Sequence, residues 1–466
     1  MTFPLTPNAI QYTWRQLAQR AGVAGAGAAG NGFERLDLPV AYAHPEHAHL
    51  PGPGVIVAPG RPAAWQELLD RPLHTMTWLP AERGMPGGQS LPVGELLPVP
   101  LWGEGFEDGI WPFAEQRADG SLVFYADILS TVFFLLSRWE ETARPVRDTH
   151  GRYPAESSAA YRLGFLDRPV VDEMALVLRA WLRQIRPGWK PEGRHFSVLL
   201  THDIDSFRPF VSLGRGLLVL GADILLRRNL PLARQRLQQL GLQLGPVERT
   251  PFFQAVHRLA ELDSASSLPS AFYFMTARPS RHEPGYDPST EPVLGLIKEL
   301  EQRGFEIGLH PGYKTYRNPA RLQAEKQRLD RILGRSTDGG RQHFLRFAVP
   351  DTWRHWQQAG FRYDSSVAFP THPGFRCGTC HPFHPFDLEQ DRPLSILERP
   401  LIVMDTMLQV HRRLSPEQAE LLTLELAERC RQVEGEFVLL WHNTSLVGEW
   451  GRVYTDLVQR LAQIPS

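Results

Sequence analysis

The sequence predicts an α/β protein, with a parallel sheet or barrel in its C-terminal part and a mixed α+β region ahead of it. Three observations carry this reading. Beyond about residue 190, short apolar runs alternate with stretches of helical periodicity. Polar residues able to act as acids, bases or ligands recur at the ends of those runs, the rim where such folds collect their chemistry. The chain has 466 residues, too many for one ordinary core, so two domains are expected, divided at about residues 190/191.

The first 110 residues are rich in Gly, Pro and Ala and show little periodicity. A helical stretch, Tyr12 to Ala21, precedes Gly25-Ala26-Gly27-Ala28-Ala29-Gly30. That run fits a dinucleotide fingerprint but lacks the strand that must lead into it, so no nucleotide site is read there. Apolar residues at helical spacing predict one helix over Ala126–Glu141 and another over Val170–Ile185. Arg186-Pro187-Gly188-Trp189 has turn chemistry and marks the boundary. Residues 1–190 form an N-terminal domain whose function the sequence does not declare.

In 191–466, strands are expected at His195–Thr201, Ala271–Thr276, Phe305–Leu309, Phe344–Phe347, Phe361–Tyr363, Leu397–Val403 and Phe437–Trp441. Helices are expected at Val293–Arg303, Pro319–Leu333, Thr352–Ala359 and Pro416–Val433. Residues 207 to about 250 separate the first strand from the second and read as a helical insertion. Within it Leu217–Leu226 is the most apolar segment, too short for a membrane span and read as a packed helix.

Hydrophobic residues make up 42% and charged residues 22% of the chain, with a formal net charge of −1. This balance fits a soluble globular protein and gives no electrostatic reason to expect nucleic acid or an anionic membrane as partner. Three cysteines, Cys377, Cys380 and Cys430, are too few and odd in number for a disulfide scaffold. The start, Met1 to Pro7, lacks a basic segment followed by an apolar run. No membrane span and a cytoplasmic location are the expectations.

The strongest local signal is Thr201-His202-Asp203-Ile204-Asp205 at the end of an apolar strand. Residues i and i+2 of an extended chain share a face, so Asp203 and Asp205 point one way and His202 and Ile204 the other. Two carboxylates this close repel. A divalent cation on one of them relieves the repulsion and leaves the other free as a base. The plainer alternative is a pair of aspartates capping the next helix. Asp203, Asp205, His310, Arg346, Asp364 and His442 all fall at or just past strand ends.

This segment resembles the first motif of the NodB-type polysaccharide deacetylases, carbohydrate esterase family 4. Gly304-Phe305-Glu306-Ile307-Gly308-Leu309-His310 is similar to that family's second motif, and Phe437-Val438-Leu439-Leu440-Trp441-His442 to its last. The resemblance covers about residues 195–463 and extends to a bacterial subgroup of deacetylase-like proteins with an extra N-terminal domain. It implies a distorted (β/α) barrel, a carbohydrate substrate and a divalent metal, zinc above others. It implies Asp203 as general base, Asp205 and His310 as metal ligands, His442 as general acid, and Arg346 as the arginine that orients the base. Tyr313, Lys314, Arg376 and Trp441 are the candidate substrate contacts.

One departure matters. The family places a second histidine four residues after the first, where this chain has Lys314. A protonated ammonium has no lone pair to offer a metal. His343, opening an expected strand near the rim, is the candidate replacement ligand. The alternatives are a weakly held metal, or a metal-free site with Lys314 as its cation. Gly374-Phe375-Arg376-Cys377-Gly378-Thr379-Cys380-His381 matches Cys-x-x-Cys-His. With no export signal and no second cysteine pair, it reads as a Gly-rich loop over the active-site mouth, Arg376 reaching toward substrate. His282, His372 and His384 read as surface-loop residues.

The function expected is hydrolysis of an N-acetyl group from an amino sugar in surface-polysaccharide metabolism. The competing expectation is a non-catalytic protein that binds a glycan or a partner on a degenerate deacetylase fold.

Overall fold

Thr6 caps the first helix, α1 (Pro7–Arg20), its side chain accepting from the Ala9 N–H, while Pro7 takes a first-turn position where no amide bond is lost. In the computed structural model, residues 5–23, 38–88, 91, 96–107, 109–210, 212–278, 280, 282, 283 and 285–465 are described; the Gly25–Gly30 run lies outside them. Four short strands follow: β1 (Val40–Tyr42), β2 (Val55–Val57), β3 (Ala114–Gln116) and β4 (Leu122–Phe124). They pair in the order β1-β2-β4-β3, parallel except for β3 with β4. Two helices pack nearby, α2 (Ile128–Leu136) and α3 (Val170–Ile185). The single helix expected over Ala126–Glu141 breaks at Arg138, whose φ of 52° no helix accommodates. The break aims the buried Arg138 guanidinium at Glu140 and Glu141.

The C-terminal part is built on a parallel sheet. Its central strand, β5 (Ser197–Ile204), is buried from Val198 onward, as suits a strand covered on both faces. Two helices, α4 (Leu213–Leu225) and α5 (Leu230–Leu244), form the expected insertion, followed by α6 (Pro251–Ser266). Then come β6 (Ser270–Phe274), α7 (Val293–Gln302), β7 (Glu306–Leu309), α8 (Pro319–Leu333) and α9 (Asp351–Gln358). The two-residue strands β8 (Tyr363–Asp364), β9 (Leu397–Glu398) and β10 (Val403–Met404) lead to α10 (Pro416–Gln432), β11 (Glu436–Leu440) and α11 (Glu449–Ala462). The sheet order is β10-β11-β5-β6-β7, every pair parallel.

Among the described residues the sheet is not closed into a barrel, which leaves the expected distorted (β/α) barrel at the level of a parallel α/β sheet. Beyond β7 the chain is linked by an isolated parallel bridge, Leu309 N–H to the Gly339 carbonyl and Arg341 N–H to that of Leu309, and by Ser365 N–H to the Gly340 carbonyl, out to a separate β8–β9 pair. The run Leu397–Val403 splits into β9 and β10 because Pro400, in its middle, has no N–H to give. The strand expected at Phe344–Phe347 is instead a turn, with Phe344 and Leu345 at φ 61° and 52°. The strand-like pairing occurs earlier, at 339–341. There a Cβ on Gly340 would meet the Leu309 carbonyl oxygen at 1.9 Å, so only glycine lets the backbones pair.

The apolar core around α2 and α3 does not stop at residue 190. It continues through Leu322, Phe347, Trp353, Phe369 and Phe386. The Cys-x-x-Cys-His segment lies at this junction rather than over the active site. Arg376 is 1% exposed and grips Glu141 with two bonds of 2.7 Å. The same Glu141 holds Arg138, which also donates to the Arg376 carbonyl. Arg376 therefore joins the two halves of the chain and is not among the residues lining the cavity around Asp203 and Asp205. Replacing Glu141 by Gln strips the buried Arg376 of its counter-charge and leaves Arg138 with Glu140 alone. The expected cost is about 3–5 kcal/mol, read as a lower midpoint in urea unfolding.

No helix among the described residues is long and apolar enough to cross a membrane. The segment expected to pack, Leu217–Leu226, instead faces outward: Leu217 is 53%, Leu218 63%, Leu225 76% and Leu226 82% exposed.

Candidate metal and acid/base site

The alternation of β5 sorts its side chains as strand geometry requires. His202 turns into the helical layer, where Nδ1 meets the Trp441 carbonyl at 2.8 Å and Nε2 meets Asp263 at 2.8 Å. It is a satisfied core histidine. Asp203 and Asp205 point the other way, into a cavity of about 290 Å³ whose lining includes His310, His343 and His442. His310 arrives just past β7 and His442 just past β11.

Asp205 sits at the centre. One of its oxygens, Oδ1, lies 3.2 Å from His310 Nε2 and 3.6 Å from His343 Nε2, and the other 3.7 Å from His442 Nε2. His310 Nδ1 bonds the Arg341 carbonyl at 2.7 Å. With Nδ1 as donor, the lone pair of the neutral ring falls on Nε2, toward Asp205. Burial opposes charge on His310, but Asp203 and Asp205 raise its pKa. Burial lowers that of His343 to about 3, leaving a neutral imidazole. Burial would raise the pKa of Asp205, yet the close approach of His310 and the charges of His442 and His343 hold it well below the usual carboxylate range.

Asp203 is held differently. Arg341, fully buried, gives Nη1 to Asp203 Oδ1 and to Thr201 Oγ1, each at 3.0 Å, and anchors its other nitrogens on the carbonyl and hydroxyl of Ser365. His442 is oriented by Asp405, which accepts from its Nδ1 at 2.7 Å and from its backbone N–H at 2.9 Å. Burial resists protonation of His442, but the Asp405 carboxylate raises its pKa to about 10.

The residues present fit a cation. Asp205 Oδ1 and His310 Nε2, which face each other, are buried with no hydrogen-bond partner. Orphaned polar atoms of this kind are costly and rare. Ligand atoms of Asp205, His310 and His343 lie within 4.8 Å of one another. Bonds of about 2.1 Å in a tetrahedral site put ligand atoms about 3.4 Å apart, close to the 3.2 and 3.6 Å separations from Asp205. The cluster of Asp172, Cys380 and His381 is also compact, but its atoms are engaged. Asp172 accepts from Arg20, Thr379 and the Cys380 N–H, and His381 faces Arg194 and the Val433 carbonyl.

Other sequence-derived candidates lie elsewhere. Arg346 does not touch Asp203; it stacks on Tyr313 and Tyr316 at 3.7 and 3.9 Å and donates to the carbonyls of His150 and Tyr313. Arg341 occupies the place expected of it. Tyr313 lies outside the cavity lining, its ring stacked with His282 at 4.0 Å. Lys314 is exposed and lines a neighbouring cleft of about 1070 Å³, so it is neither a ligand nor a cation of this site. Trp441 is fully buried against Trp450 and Tyr454. Asp364 is buried off the cavity and bonded to Ser366. The sequence reading missed Arg341 and Asp405. It also missed His150 and Arg152, which bring the N-terminal part of the chain to the cavity wall. Gly339-Gly340 before Arg341, and an acid closing Leu401–Met404, were the available signals.

Residues 75–187 match the model of DUF7033, a family of unknown function. Comparison with curated proteins finds no match. Among solved structures, the chain is similar to one described as a "putative polysaccharide deacetylase from Mycobacterium smegmatis", at 16% identity and a TM-score of 0.40, over 59% of this chain and 86% of that one. A likeness at that level carries no argument.

Proposed function

We propose that the protein is a divalent-metal-dependent hydrolase that removes an N-acetyl group from an amino sugar. The observation that carries this is the compact Asp205–His310–His343 cluster, with Asp205 Oδ1 and His310 Nε2 unpartnered, set between a carboxylate held by arginine and a histidine held by carboxylate. A divalent cation, zinc best suiting the ligand set, would supply polarisation of an acyl carbonyl and a lowered pKa for water. Asp203, bonded by Arg341 at 3.0 Å, takes the proton from the attacking water. His442, kept protonated by Asp405, gives a proton to the departing amine nitrogen. The cavity, near the lower end of small-molecule sites, accepts one group rather than a whole oligomer. The sugar follows from the likeness of the three sequence motifs to the deacetylase family. The rival non-catalytic reading leaned on Lys314, which stands outside this cavity.

The test is acetate release from N-acetylglucosamine oligomers and other N-acetylated glycans, with added zinc and with chelator. Metal-dependent release supports the proposal. No release from any of them by fully metal-loaded protein contradicts it. Asp405→Asn is expected to lower kcat by about 100-fold or more and to shift the alkaline limb of the pH profile to lower pH, because His442 loses the charge that keeps it protonated. A purely structural role for Asp405 would leave that limb in place.

A further inference from the structure

We propose that the helical hairpin α4–α5 is an interfacial anchor that seats the protein on an anionic lipid bilayer. The proposal is independent of the catalytic reading. On α4 the exposed apolar residues are Leu213, Leu217, Leu218, Ile224 and Leu225, from 40% to 76% accessible. At about 100° per residue they sweep an arc of about 140°, which holds only Gly214 and Gly221 besides. The opposite side carries buried Gly216 and Asp223. Leu226, in the turn, is 82% exposed. On α5 Leu230, Leu237 and Leu244 recur every seven residues at 73%, 57% and 71%, while Ala233 and Leu240 are buried. Arg236 of α5 reaches Asp223 of α4 at 3.3 Å, and a Cβ on Gly216 would meet Leu240, so the buried sides face each other. On both helices the exposed arc is displaced from this contact side in the same rotational sense. Because the helices run antiparallel, the two arcs lie on one side of the hairpin.

The charges say what covers that side. Residues 213–244 contain five arginines, one aspartate and no glutamate or lysine. The aspartate is buried and neutralised by Arg227 and Arg236. Arg215, Arg228 and Arg234 are exposed, without an acidic partner among the described residues. A leucine face flanked by unpaired arginines matches the acyl boundary and the phosphates of an anionic leaflet. The whole-chain charge of −1 conceals this local excess. The anchor also has a fixed place. The chain runs from Asp205 through Ser206 and Phe207 into Arg208, whose Nη1 bonds the carbonyls of Leu242 and Gly245 at 3.3 and 3.1 Å. That tie ties the hairpin's base to the end of β5 where the cavity opens.

The full-length protein is sedimented with vesicles of phosphatidylcholine alone and with phosphatidylglycerol added, at low and high salt. Binding is expected to the anionic vesicles, weakened by salt. Arg228→Gln/Arg234→Gln, at exposed positions that leave packing intact, should lower the partition coefficient about thirtyfold. Leu217→Glu/Leu225→Glu/Leu237→Glu should abolish binding while metal content and melting temperature stay at wild-type values. The proposal is overturned if the wild type stays in the supernatant with anionic vesicles, or if both variants pellet as it does. It is equally overturned if the wild type is a dimer in solution that the leucine variant splits and neither binds vesicles, since the face then belongs to a second copy of this chain.

Discussion

Asp203→Asn is expected to reduce turnover by about 100- to 10,000-fold, the span of a lost general base, while the protein stays folded. Asparagine has nearly the same shape, and its side-chain oxygen still accepts from Arg341 Nη1, now 3.0 Å from Asp203 Oδ1. What it cannot do is take a proton at neutral pH. Removing one of two neighbouring carboxylates leaves Arg341 with less counter-charge but also relieves repulsion with Asp205, so the melting temperature should move little. The metal content should not fall, because Asp203 is outside the compact ligand cluster. The measurement is kcat at saturating substrate and metal, beside metal content. Unchanged turnover removes Asp203 from the chemistry.

His343→Ala is expected to empty the site or weaken metal affinity by at least about 100-fold. A catalytic zinc usually has three protein ligands. Without His343 the compact cluster keeps only Asp205 and His310. The neutral state of His343 suits a ligand, since burial already disfavours its proton. Lys314→His is the matched control. Lys314 is exposed on the neighbouring cleft, so a histidine there should change occupancy little. Isothermal titration of both variants with zinc separates the outcomes. If the wild type binds no zinc and Lys314→His does, the ligand set is wrong and the family spacing governs.

Much of the fold was legible because its long elements carry one period each. Pro319–Leu333 and Val170–Ile185 fall where the helical spacing puts them, and β5, β6, β7 and β11 lie within a few residues of their apolar runs. The two-residue strands were legible only as apolar runs: β8 overlaps Phe361–Tyr363, and β9 and β10 stand at the two ends of Leu397–Val403, whose split was not foreseen because pieces so short show no period. The apolar run Phe344-Leu345-Arg346-Phe347 misled for the same reason. Apolar character there serves a buried turn, and the pairing it suggested occurs at Gly339–Arg341. That shift of five residues is why Arg346 was named in place of Arg341. Asp203, Asp205, His310 and His442 stood out because strand alternation and strand ends fix where their side chains emerge. Asp405 was hidden behind a split strand, and His150 and Arg152 come from a distant part of the chain that no local pattern ties to the cavity. The exposed hairpin was misread because a leucine-rich period looks the same whether it packs on protein or on lipid.

The central claim is that Asp205, His310 and His343 together hold a divalent cation. Anomalous diffraction at the zinc edge, from crystals of the full chain grown with zinc, tests it most directly. The account predicts one strong peak at about 2.0–2.2 Å from a carboxylate oxygen of Asp205 and a ring nitrogen of each histidine. No peak there at saturating zinc, or a peak held by Asp172, Cys380 and His381 instead, would contradict it.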